Sequence, residues 1–116
     1  MKLTPVDRIL IGQLMPKETD LITQSLIRDI LKKIDLSTEE AEKYGVRIDG
    51  EKNEEGKIIN PNIFWNKLAM EEESDFEISK TELSVLKNAV EEVDKAKKVT
   101  QIILDTCLKI KEHKAE

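Results

Sequence analysis

The sequence predicts a mainly helical α+β fold: about five helices, a small β-hairpin in the middle and a C-terminal helical hairpin. Three observations predict it. Leu, Ile and Val recur at three- and four-residue spacing through both halves of the chain. Aromatic residues are only 3% of the chain, so the core has to be aliphatic. Four glycines and three prolines are too few for a turn-rich all-β fold. At 116 residues the chain is one domain's worth, with a modest single core. Its expected segments are a three-helix unit (1–45), a β-hairpin with an aromatic plug (46–66), an acidic linker (67–78) and the helical hairpin (79–116).

Thr4-Pro5 reads as an N-cap followed by proline at the first helical position. Val6, Ile9, Leu10, Leu14 and Met15 follow on one face, and Pro16 ends this first helix, because the residue before proline disfavours helical geometry. Gly12, alone inside the helical pattern, is expected to allow a close approach of another helix. Thr19 or Asp20 caps the second helix, whose stripe is Ile22, Leu26, Ile27, Ile30, Leu31 and Ile34, with Lys32 and Lys33 suiting its C-terminal dipole. Ser37 with Glu40 forms a capping box for a short third helix, which stops at Gly45 in a left-handed conformation.

The pattern then alternates, with Val46 and Ile48 inward, Arg47 and Asp49 outward, and Gly50, Asn53 and Gly56 as punctuation. This predicts strands near 46–50 and 57–60, the second broken by Asn60-Pro61-Asn62. Ile63, Phe64 and Trp65 then pack back on the core. The run MEEESD reads as a solvated acidic linker. Ser79 with Glu82 makes a second capping box, opening a fourth helix to about Lys97 with Leu83, Leu86, Val90 and Val93 on one face. Thr100 caps a fifth helix, with Ile103, Leu104, Cys107, Leu108 and Ile110 apolar, and the tail after it frays.

The net charge is −5, and residues 37–76 hold five basic against eleven acidic side chains, so the excess lies in the middle. That balance opposes nucleic-acid binding, which draws on Lys and Arg against phosphates. The single cysteine, Cys107, rules out an internal disulfide and reads as a buried small hydrophobe. A reducing cytosol is the expected compartment, with no secretion signal and no run of transmembrane length. The only histidine, His113, reads as a solvated side chain in the tail. No phosphate loop or dinucleotide fingerprint occurs. DGEKNEEG lacks the glycine and terminal glutamate of a calcium loop. No catalytic constellation, metal site or cofactor is therefore expected.

What remains is binding. The candidate partner-binding residues are Glu51, Glu54, Glu55, Glu71, Glu72 and Glu73, an acidic set able to dock on a basic surface. Trp65 is either a core plug beside Phe64 or an apolar anchor for a partner. Lys17, Arg28 and Arg47 form a possible anion or ligand edge, Lys17 lying in the turn QLMPKETDLIT beside the start of the second helix. The stripes of residues 79–112 could also pair with a second copy.

LTPVDRILIGQLMPKE, LSTEE, the step Trp65-Asn66 and KAKKVTQIILDTCLKI together resemble a family of small proteins of unassigned function found in phages and prophages of Gram-positive bacteria. The resemblance implies phage or prophage origin and no particular activity. The reading it completes is a non-enzymatic accessory protein that binds a host protein in the host cytoplasm, with a host defence system as one target. A self-assembling phage component, virion-associated or an oligomeric sponge for a signalling nucleotide, is the alternative.

Overall fold

The computed structural model describes residues 1–56 and 58–114; of residues 48, 51 and 58–61 it describes the backbone. It is mainly helical, and its described elements run β1 (Lys2–Leu3), α1 (Pro5–Leu14), α2 (Leu21–Ile34), α3 (Thr38–Lys43), β2 (Arg47–Lys52), β3 (Ile58–Phe64), α4 (Leu68–Glu71), β4 (Ser74–Asp75), α5 (Lys80–Lys95) and α6 (Gln101–Glu112). Two antiparallel pairs, β1 with β4 and β2 with β3, complete it.

The helix starts follow local chemistry. Thr4, Ser37 and Ser79 each accept the backbone N–H three residues on, and Asp7, Glu40 and Glu82 return the bond to the cap's own N–H. Each box satisfies two helix-end donors that would otherwise lack partners. Asp20, rather than Thr19, caps α2 by accepting from the Thr23 N–H at 2.9 Å. Gly45 adopts φ +61° after α3, as its place there requires. Thr100 precedes α6 without a side-chain capping bond.

The main core gathers Ile11 from α1, Ile27, Ile30 and Ile34 from α2, Val85, Leu86, Ala89 and Val90 from α5, and Cys107 and Ile110 from α6. A second, smaller cluster joins Val6, Leu10, Tyr44 and Ala69, with Trp65 packed partly against it. Helix α1 sits centrally and touches α4, α5 and α6. It is therefore covered on more sides than a single stripe: Ile11 is fully buried and Asp7 and Arg8 are buried, whereas Ile9 is only half-buried. Ile22, expected in the α2 stripe, is 73% exposed, and its neighbour Leu21 is 84% exposed.

Three stretches differ from the sequence reading. The second strand is not broken at Asn60-Pro61-Asn62; it runs to Phe64, and the register shifts where Gly50 alone faces Asn60 and Pro61. A bulge is where a strand tolerates a residue without an N–H. The hairpin turns at Asn53–Gly56, with Gly56 at φ +82°. In place of a plain solvated linker over 67–78, Ala69 of α4 is fully buried and Ser74–Asp75 pairs with Lys2–Leu3. Asn66 helps hold this segment: its Nδ2 donates to the Lys43 carbonyl at 2.8 Å and its Oδ1 accepts from the Ala69 N–H at 3.2 Å. Helix α6 continues through Lys111 and Glu112, and His113 is half-buried rather than solvated. Residues 115–116 of the expected fraying tail lie outside the described residues.

Candidate interaction surface

The interior polar groups are committed to one another. Asp7 accepts from the Thr4 N–H at 3.0 Å, the Thr106 hydroxyl at 2.5 Å and the Lys109 ammonium at 2.5 Å. Burial pushes the Asp7 carboxyl up, but the bonds from Lys109, Thr106 and Thr4, with the Lys109 charge, outweigh it and hold the group below the usual carboxylate range. Lys109 continues to Glu73 at 3.0 Å.

Arg8 donates to the Ile34 carbonyl at 2.6 Å, the Asp35 carbonyl at 2.7 Å and both oxygens of Glu40. The Arg8 hydrogen bonds depress the Glu40 carboxyl to about 2, against the smaller opposing effect of burial. Glu82, buried, takes the Lys33 ammonium at 2.6 Å. No buried side-chain nitrogen or oxygen among the described residues lacks a partner. These pairings escaped the sequence reading because the partners are remote; Asp7 and Thr106 are 99 positions apart.

One consequence concerns acid. Glu40 has a folded value of about 2 against an ordinary 4.5, so its contribution to stability is full above pH 4.5 and is lost as pH falls toward 2. Asp7 and Glu82 are depressed as well and act in the same direction. Urea midpoints are therefore expected to fall between pH 4.5 and 2, and Glu40→Gln to flatten part of that slope. An unchanged slope in the variant would refute the assignment.

The sequence candidates are dispersed. Glu54 and Glu55 stand exposed at the hairpin tip, in a unit whose strands contact chiefly each other; the Glu51 side chain lies outside the described residues. Glu71 pairs with Lys67 at 3.6 Å. Glu72 accepts from the Tyr44 hydroxyl at 2.5 Å and pairs with Lys43 at 3.1 Å, and Glu73 pairs with Lys109. Adjacent glutamates thus serve four different neighbours. Trp65 is half-buried against the smaller core cluster. Arg47 lies over the Phe64 ring, 4.8 Å from its centroid. Arg28 lines a cleft between α1 and α2, and Lys17 sits beyond one end of it, its carbonyl accepting from Gln24 at 3.2 Å.

Another face is apolar: it joins Met70 and Ile102, which the sequence reading did not single out, to Leu108, which it placed on the apolar face of the last helix and which the structure leaves exposed. Met70, Ile102 and Leu108 are 63%, 66% and 41% exposed, and they border one shallow depression of about 330 Å³ between α4 and α6. Asp105 and Glu112 stand at its edge, beside the committed Asp7 and Lys109. The available signal was α6 itself, where Ile102, Ile103, Leu104, Leu108 and Ile110 exceed what one buried face requires. Scattered exposed apolar residues are ordinary; a contiguous group with a polar rim is the pattern of interaction sites. Cys107 is buried, and burial pushes its thiol up.

Among the described residues no group of His, Cys, Asp and Glu is arranged to hold a metal ion, and no helix is long and apolar enough to cross a membrane. No protein-family model, curated protein or solved structure matches the chain.

Proposed function

We propose that this chain is a small phage or prophage accessory protein that acts without catalysis, by binding a host protein in the host cytoplasm, with a component of host defence as the target class. The observation that carries the reading is the exposed group Met70, Ile102 and Leu108 beside Asp105 and Glu112. An apolar centre supplies affinity, and carboxylates at its edge favour a partner whose own rim is basic. The interior supports a binder over an enzyme, since Asp7, Arg8 and Glu82 are engaged in holding helices together. The acidic hairpin tip, Glu54 and Glu55, is a second contact available to the same partner.

Self-assembly through residues 79–112 is favoured by the same two α6 side chains, Ile102 and Leu108. One experiment separates the readings. Tagged wild-type protein and Ile102→Asp are compared in pull-downs from host lysate at low and high salt, with sedimentation velocity on each. Host binding predicts a protein recovered by the wild type, reduced at high salt, and about tenfold or more weaker with Ile102→Asp at unchanged thermal stability. Equal recovery by both overturns the proposed face. A wild-type dimer that becomes a monomer in Ile102→Asp replaces host binding with self-assembly.

A further inference from the structure

Gly12 poses a question that α1 alone does not answer. Glycine inside a helix costs about 1 kcal/mol against alanine. The close helix approach expected of it is not what the structure holds. A methyl group added at Gly12 would meet only Leu31 Cδ2, at 3.8 Å, an ordinary contact. Gly12 instead lines an open cleft of about 600 Å³ between α1 and α2. Its apolar lining comes from Ile9, Ile27, Leu31, Ile34 and Leu36, together with Gly12. The volume lies in the range of small-molecule sites.

The charge of the cleft runs against that of the chain. The whole sequence carries −5, yet the cleft is lined by Arg8, Arg28 and Lys32 against one carboxylate, Asp35. Arg8 is neutralised by Glu40. Among the described residues Arg28 and Lys32 form no ion pair and no side-chain hydrogen bond. With Asp35 counted, the cleft is left with one uncompensated positive charge beside an apolar lining.

The geometry points to a binding site for a small amphiphilic monoanion, an aliphatic chain ending in a carboxylate, with the chain along Ile9, Gly12 and Leu31 and the carboxylate between Arg28 and Lys32. A guanidinium recognises a carboxylate through paired N–H donors, and a single surplus charge matches a carboxylate better than a phosphate dianion. This site is separate from the Met70–Ile102–Leu108 face and stands whether or not that face binds a host protein.

The test uses the full chain, with decanoate below its micelle threshold as the probe and decanol and decyl phosphate as comparisons. Binding is followed by amide shifts in two-dimensional NMR and by calorimetry. Decanoate is expected to shift the Gly12, Ile27 and Arg28 amides and to bind about tenfold more tightly than decanol. Arg28→Gln with Lys32→Gln, both exposed, should remove that preference, and Gly12→Leu should abolish binding by filling the cleft. Absence of shifts at these amides overturns the proposal, as does equal binding of decanol. Tighter binding of decyl phosphate overturns the carboxylate assignment. A helical acidic peptide that shifts these amides where decanoate does not shows the cleft to be a protein-docking groove instead.

Discussion

Asp7→Ala is expected to lower the unfolding free energy by about 3 kcal/mol, in the range for breaking a buried ionic network by removing one partner. The loss has three parts. The Thr4 N–H loses its return bond, the Thr106 hydroxyl is stranded at 1% exposure, and Lys109 loses its shorter contact. Lys109, a third exposed, can partly rehydrate, which keeps the effect from the top of the range. Urea denaturation at pH 7 measures it. The companion triple variant Asp7→Ala, Thr106→Val, Lys109→Met should recover part of the loss, since it removes the stranded hydroxyl and the unpaired ammonium and leaves only the Thr4 N–H without its bond. A loss under about 1 kcal/mol for Asp7→Ala would mean that the network is dispensable.

Arg8→Lys comes next and is expected to cost about 2 kcal/mol, although the charge is kept. The guanidinium serves two carbonyls at the end of α2 and both oxygens of Glu40, and it lies 5.1 Å from the centroid of the Phe76 ring. A single ammonium cannot hold this fork. Arg8→Ala should cost more, about 3 kcal/mol, because it also leaves the α2 carbonyls without a donor. Amide exchange gives the local readout: protection across α3 (Thr38–Lys43) should fall more than protection in α5. Equal loss in both helices would count against Arg8 as the tie between α2 and α3.

What the sequence made legible was local. The pairs Thr4–Asp7, Ser37–Glu40 and Ser79–Glu82 lie three residues apart, and helix ends depend on that spacing alone. The helical fold class and the apolar face of α5 followed from periodicity. The glutamate of the last box was readable as a cap but not as a buried ion-pair partner, because Lys33, which it binds, lies 49 positions away. Ile22 and Ile11 exchanged their expected places for a similar reason: periodicity says which residues share a face, while neighbours from other elements decide how much of the helix is covered. Pro61 was read as a stop because proline lacks an N–H, and only the register across from Gly50 shows how the ladder accommodates it. The candidate surface was half legible. The surplus of apolar residues in 79–112 was visible, but the contribution of Met70 required α4 to sit beside α6. The acidic run could be counted, though not its division among Lys67, Lys43 and Lys109.

The central place of α1 has a kinetic consequence. It is synthesised well before α6, which brings two partners of its buried aspartate, Thr106 and Lys109. Until residues 101–112 emerge from the ribosome, α1 carries a carboxylate and an apolar surface without their final cover. Contacts of such long sequence separation slow folding, so this small helical chain is expected to fold more slowly than a bundle of sequential neighbours. Its nascent form would then present Val6, Leu10 and Ile11 to the cell's chaperones for as long as translation of the last helix takes.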